Sequence, residues 1–382
     1  MKFSREILEA ERDRRAAIFE QLMKDFNLDG LYFTSTAQQA YQMATKYASG
    51  YPLTTRRDIV YVVPGEIPYL VVPTVGQQSS ARNVSWLPAD HILSDDLDKA
   101  TGKFVRSLKG AAPRIGLYEP NEIPYYLYKA LNAVNAEFVD ITYALTCARQ
   151  NKSDFEIACI KESSKIACES VACVANALKP GMTERELIGL AEGFVRAHGG
   201  EDTLILTRTQ KPHTFISRAT DRVIPEDGLF VYSVEMAGYF GYWTQCVRPL
   251  FMQYGAQPEA FRILGLIKEA EAAGVEAFVP GNRVCDVAAA IEKVIAKYNL
   301  KIGVWSGHGM GADLGDGVDI GTPNKMEIVP NMILTLHPSV MSDEDGLLYG
   351  NTWMSTEKGA VCLTPDYADL PYLPDLKKAI QI

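Results

Sequence analysis

The residues best suited to chemistry in this chain are two histidines, a glutamate and a glutamine. His308 stands between glycines in Ser-Gly-His-Gly-Met-Gly, and His337 closes the apolar run Met-Ile-Leu-Thr-Leu-His-Pro. An imidazole titrates near neutral pH, so each suits proton transfer as a general acid or base. Glu235, in Ser233-Val234-Glu235, is the best carboxylate candidate. That run reads as strand, and period-two geometry leaves its facing open until a register is known. Tyr242, Trp243, Trp305 and Trp353 fall in the same motifs as Gln245 and the histidines. Aromatic residues more often build a core, but a ring of them around a cleft suits a planar or cationic substrate. Asp313, Asp316 and Asp319, in Gly-Ala-Asp-Leu-Gly-Asp-Gly-Val-Asp, could attract a cation. Their spacing is not that of a calcium loop, and a solvated turn also accounts for them. The seven cysteines include no Cys-x-x-Cys pair. They read as reduced, small core residues, with Cys246 the one to test as a nucleophile.

The elements that must position these groups have two styles. Residues 4–26 read as an amphipathic helix, residues 31–35, 59–64 and 69–73 as strands, and alternation continues to about residue 146. The polar stretch at 148–154 is a plausible boundary. Beyond it the chain echoes itself. A helical pattern stops at Pro180-Gly181 and another at Pro280-Gly281, each followed by a second helix and then β-type sequence. Thr183 with Glu186 forms a capping box, and Val284, Val287, Ala288, Ile291, Val294 and Ile295 make one apolar face. Extended segments follow at 203–208, 229–251, 303–309 and 332–338. Two such repeats imply an α/β (α+β) fold with a curved antiparallel sheet, helices on one face and a cleft on the other.

The double Pro-Gly framework, together with GYWTQCVR (241–248), GHGMGAD (307–313), LTLHP (334–338) and STEKGAVCLT (355–364), resembles the pita-bread family: creatinase, aminopeptidase P, prolidase and methionine aminopeptidase. The resemblance implies a creatinase/prolidase-like domain over 1–150 and a pita-bread domain over 151–382. The family's peptidases hold two metals on two Asp, one His and two Glu. By the resemblance those positions fall at Ser233–Glu235, Gln245, His308, His337 and near Gly350 or Asn351. Only the His is kept, and Glu235 is the one carboxylate able to help. Gln245 then keeps hydrogen bonding without charge and would orient substrate. The two imidazoles should approach each other and split into one acid and one base. Creatinase works without metal, but its catalytic His would fall near Ile216 or Ser217, with His213 close by. Its two Glu would fall at Val247 and His337. Arg57 matches the N-domain Arg that crosses the creatinase dimer, and the second such Arg would fall near Asp319.

Bulk properties narrow the classes further. The chain has 382 residues, 47% hydrophobic, and a net charge of -9, which argues against a phosphate-held nucleic-acid partner. No apolar run approaches the ~20 residues of a membrane span, and the charged N-terminus does not read as a signal peptide, so a cytoplasmic protein is expected. The expectation is an enzyme without metal or cofactor, a likeness-implied homodimer, acting on a small polar substrate by His-based acid–base catalysis. C–N hydrolysis leads, a lyase or other proton transfer is the alternative, and a non-catalytic binding module is the second class. A relocated single metal on His308 and His337 is a lesser alternative.

Overall fold

The computed structural model describes residues 3–36, 43–53 and 55–380. The chain forms two compact units, Met1–Arg149 and Gln150–Ile382.

In the first unit, helix α1 (Arg5–Asp25) starts where the Ser4 side chain accepts the Ile7 N–H, and it buries Arg15, Phe19, Leu22 and Met23. Its strands are β1 (Gly30–Thr36), β2 (Arg57–Val62), β3 (Tyr69–Val72), β4 (Ile92–Ser94), β5 (Arg114–Leu117) and β6 (Glu137–Asp140). They form one sheet in the order β4-β3-β2-β1-β5-β6. Helices α2 (Met43–Ser49), α3 (Val75–Val84), α4 (Leu97–Ser107), α5 (Tyr125–Leu131) and α6 (Thr142–Ala148) intervene. Tyr32, Ile59, Val71, Phe104, Ile115 and Leu127 share its core.

In the second unit the echo seen in the sequence is a structural repeat. Helix α7 (Asp154–Ala177) leads to α8 (Glu184–Ala197), and α9 (Pro258–Ala277) leads to α10 (Val284–Lys297). Gly181 and Gly281 both take positive φ, 87° and 92°, which only glycine adopts without strain. The Gly181 N–H donates to Ile224 O at 2.9 Å and the Gly281 N–H to Ile328 O at 3.0 Å. The Thr183–Glu186 capping box forms at α8, and in the other copy the Asp286 carboxylate accepts the Arg283 N–H at 2.8 Å. The apolar face of α10 is buried as its spacing requires.

Strands β7 (Asp202–Arg208), β8 (Leu229–Ala237) and β9 (Trp243–Phe251) form one antiparallel sheet. Strands β10 (Lys301–Ile302), β11 (Gly307–Met310), β12 (Leu314–Asp319), β13 (Ile333–Leu336), β14 (Ser339–Met341), β15 (Gly346–Leu348), β16 (Asn351–Met354) and β17 (Val361–Cys362) follow, with α11 (Leu373–Ile380) last. They make two further sheets, β12-β11-β13-β16-β17 and β10-β14-β15. The β-region therefore comes in three sheets rather than one continuous surface. Two of them meet where the Val247 N–H donates to Gly350 O at 3.0 Å, and where the Thr352 hydroxyl donates to Gln245 O at 2.8 Å. Residues 303–306, read as strand from sequence, are irregular, and strand begins at Gly307.

Candidate active site

Register fixes which side chains share the site. In β8 and β9, Glu235 pairs with Gln245 and Ser233 with Val247. Side chains alternate along a strand, so Ser233, Glu235, Gln245 and Val247 lie on one face and Val234 and Cys246 on the other. Val234 and Cys246 are in the apolar core with Ile166, Val171 and Leu187 of the helices. The first face is therefore turned away from the helices. The Gln245 Nε2 donates to Glu235 Oε1 at 3.0 Å and to Ser233 Oγ at 3.2 Å. The facing of the Ser-Val-Glu run is thereby fixed: Ser and Glu share the Gln245 face, and Val does not. Leu204 and Leu206 of β7, opposite Glu235 and Ser233, extend that face.

The second sheet supplies the imidazoles. His308 on β11 pairs with Thr335 on β13. Leu334 and Leu336 pair with Trp353 and Asn351, and both of those donate to the Glu271 carboxylate on α9. Alternation then puts His308, Thr335 and His337 on the face away from α9. The two imidazole rings lie 5.0 Å apart, edge to face, and the Trp305 ring lies 5.8 Å from one and 6.2 Å from the other. Gly350, bonded to Val247 on β9, lies directly against His337: a Cβ there would sit 2.4 Å from the His337 Cβ. Gly350 thus links the strand that carries Gln245 to the segment that carries His337 through backbone contacts.

Burial shifts the titratable groups placed here toward their neutral forms. Burial pushes the Glu235 carboxyl up to about 8, opposed only by a Ser233 hydrogen bond, so it is mostly protonated at neutral pH. Burial, then the adjacent His308, drives His337 down to about 3. Burial also lowers His308, partly offset by its bond to Gly309 O and by the negative charge of Asp319. His308 Nδ1 lies 3.0 Å from Gly309 O and so carries the proton, leaving Nε2 as the lone-pair nitrogen. Both nitrogens of His337 and the Oε1 of Gln245 are buried without a hydrogen-bond partner. Native proteins rarely leave such atoms unpaired, so a bound water or a ligand is needed to supply their partners.

Other residues singled out by sequence lie elsewhere or act otherwise. The Tyr242 hydroxyl donates to Glu156 on α7 at 3.0 Å, so it anchors a helix instead of lining the cleft. Trp353 faces α9 through its bond to Glu271, because its register puts it opposite Thr335 and His308 in alternation. Trp243 shares the parity of Gln245 but is buried, and its backbone N–H donates to Gly311 O at 2.8 Å. Asp316 is not in a solvated turn: it is buried and pairs with Lys152 at 2.7 Å. Asp319 stands directly across from His308 in the ladder and is exposed. Cys246 is excluded as a site nucleophile because it faces the helical core. His213 is buried with Nδ1 2.9 Å from the Asp345 carboxylate, which ties its segment to the β14–β15 turn. Arg57 lies in the first unit, where its Nη1 donates to Thr34 Oγ1 at 3.3 Å. Sequence reasoning missed Asp345 altogether, and nothing in its Ser-Asp-Glu-Asp-Gly turn announces a histidine partner so far away in the chain.

The helix pairs, capping boxes and face-paired strands define a pita-bread peptidase fold. The chain belongs to metallopeptidase family M24: that family matches over residues 158–362, and the creatinase/prolidase N-terminal domain over 15–150. It is similar to the Bacillus subtilis protein named "Uncharacterized peptidase YqhT", 27% identical over 245 residues that span 61% of this chain and 67% of that one. It is also similar to the methionine aminopeptidase of Clostridium acetobutylicum, 26% identical over 204 residues, 50% of this chain and 80% of that one. Among solved structures, dipeptidase PepE from Mycobacterium ulcerans superposes with a TM-score of 0.81, 20% identity and 96% and 98% of the two chains. The Pyrococcus horikoshii prolidase gives 0.78, 19%, and 92% and 98%.

The family name implies metal, so the donor set must be tested for it. A pair of divalent cations needs several carboxylates for charge and bridging. This face offers one buried, protonated carboxyl, a carboxamide and two imidazoles. Among the described residues no group of three or more His, Cys, Asp or Glu is placed to hold a metal ion. These residues do not fit a dinuclear centre.

Proposed function

We propose that the protein hydrolyses a C–N bond in a small polar substrate by imidazole-based acid–base chemistry that needs no metal. The observation that supports it is the contact of two buried imidazoles held in their neutral forms, together with a buried, protonated carboxyl at Glu235, at positions where the resemblance puts the metal ligands of the family's metallopeptidases. His308 is the base. Its Nδ1–H is held by Gly309 O and its charged form is favoured by Asp319, so its Nε2 takes the proton from the attacking water. His337 stays neutral through the cycle and gives its N–H to the oxygen on which charge develops. Glu235, protonated below about pH 8, gives its proton to the leaving nitrogen, with Gln245 fixing its carboxyl.

The test starts from any amide or urea the purified protein turns over. His308→Gln should lower kcat by roughly 100-fold or more, the usual worth of a general base. The rate should fall above about pH 8 as Glu235 ionises, and that limb should vanish in Glu235→Gln. Turnover that survives His308→Gln, or that is lost with a chelator and restored by two equivalents of a divalent cation, would overturn this reading.

A further inference from the structure

The helix side of β9 holds a pair of thiols that the proposed chemistry does not use. Thr244, Cys246 and Arg248 alternate with Gln245 and Val247, so they lie on the opposite side of the strand. Helix α7 packs there at close range. The Ser163 hydroxyl donates to Tyr242 O at 2.9 Å, and the Ser164 and Thr244 hydroxyls lie 2.9 Å apart. Further along, Ser170 Oγ is 3.0 Å from the Tyr232 hydroxyl, and Tyr232 pairs with Arg248 in the ladder. The helix therefore runs parallel to β9. Its small side chains permit the approach: a Cβ on Gly238, at the end of β8, would lie 2.5 Å from Ser163 Oγ.

Four helical residues advance the chain by about 6 Å from Ser164 to Cys168, and two strand residues by about 6.6 Å from Thr244 to Cys246. The two rises match, so the contact after Ser164–Thr244 is Cys168–Cys246. The two thiols are hydrogen-bonded to each other, at 1% and 0% exposure.

Their surroundings favour a reaction between them. Arg248, two residues beyond Cys246, is buried. Its guanidinium donates to Asn351 Oδ1 and to the carbonyls of Val247, Gly350, Thr364 and Asp366, none of them a carboxylate. A buried cation with no anion bonded to it favours a thiolate close by. The Cys168 S–H, and then the Arg248 charge, hold the Cys246 thiol below its ordinary value, with burial and Asp366 opposing. The same bond to Cys246, and then burial, push the Cys168 thiol up. Cys246 is the sulfur that ionises and Cys168 the one that keeps its proton.

We propose that Cys168 and Cys246 form a reversible disulfide when a hydroperoxide reaches the protein, fastening α7 to β9 directly behind Gln245. The Cys246 thiolate attacks the terminal peroxide oxygen. The O–O bond breaks, leaving a sulfenic acid and releasing an alcohol, or water where the oxidant is hydrogen peroxide. The Cys168 sulfur then attacks the sulfenic sulfur, the S–O bond breaks, and the departing hydroxide takes the Cys168 proton as water. The two thiols lose two electrons and two protons, and the peroxide gains both. A dithiol reverses the bond by exchange. Burial makes the oxidation slow and confines it to small oxidants that enter through local opening of the helix. None of this depends on the reaction proposed for the other side of the strand.

The experiment exposes the intact folded chain to hydrogen peroxide, removes the excess, then unfolds the protein and alkylates the remaining thiols for peptide mapping. One peptide pair should emerge joined between Cys168 and Cys246, two hydrogens lighter, and dithiothreitol should part it. Exchange of the α7 amides around Cys168 should slow by roughly ten-fold or more in the oxidised protein. Cys168→Ala and Cys246→Ala should each lose both the joined peptide and the slowing. Peroxide that oxidises the half-buried Cys173 and Cys362 while Cys168 and Cys246 both remain alkylatable overturns the proposal on the wild-type protein alone. So does a sulfinic acid at Cys246 with Cys168 still free. Unchanged α7 exchange in the joined protein, or slowing that persists in Cys168→Ala, also overturns it.

Discussion

Burying a titratable group without a counter-charge ties its protonation to folding. Glu235 is raised from 4.5 to about 8 in the folded protein. Between those values the folded chain holds a proton that the unfolded chain has released, so its contribution is full below about pH 4.5 and is lost as pH rises through 8. His337 is lowered from 6.5 to about 3. There the unfolded chain holds the extra proton, so stability is lost as pH falls from about 6.5 towards 3. Glu235→Gln keeps the bond to Gln245 and removes the first effect. Its stability relative to the wild type should rise between pH 5.5 and 7.5, by at most about 1.4 kcal/mol per pH unit. Urea unfolding of both proteins at the two pH values reads this out. An unchanged difference would mean that Glu235 is ionised in the fold, and the neutral character of the site would go with it.

At the scale of elements, helix α9 carries two glycines with opposite demands. A Cβ on Gly265 would meet nothing within 4 Å, so Gly265→Ala should stabilise by roughly 0.5–1 kcal/mol through helix propensity alone. A Cβ on Gly274 would lie 2.8 Å from Ile291 on α10 and 3.0 Å from Leu336 on β13. Gly274→Ala should therefore destabilise by about 1–3 kcal/mol despite its better propensity, because it pushes the helix layer off β13, which ends one residue before His337. Thermal unfolding of the two variants side by side separates packing from propensity, and a Gly274→Ala protein as stable as Gly265→Ala would contradict the close packing. The same elements show what sequence can and cannot reveal. The capping box at Thr183, the Pro-Gly stops and the α10 face follow from residue chemistry within one turn or one helix, and they are in place. Facing in β8 does not, because every residue of that strand is buried and no polar alternation marks a side. Trp353 and Tyr242 look like cleft aromatics until register and a helix carboxylate turn them around. Asp316 looks like a solvent turn until Lys152, remote in sequence, meets it. Partners brought by the fold, not by the neighbouring residues, decide these cases.

Each unit has an apolar cluster of its own, and this has a measurable consequence. Phe104 sits in the core of the first unit, with its ring 4.9 Å from Tyr61 and 6.1 Å from Tyr32. The second unit builds its own cluster from α7, α8 and the helix-facing side of β8 and β9, including Val234 and Cys246 directly behind Glu235 and Gln245. A core stabilises cooperatively the strands that share it, and opening proceeds in such units. Phe104→Ala should cost about 3–5 kcal/mol in its own core, since the residue is buried and stacked on two sides. Hydrogen exchange should then show protection lost along β1, β2 and β5, while the amides of β8 and β9 keep their wild-type exchange. Equal loss in both units would show that the two cores open as one.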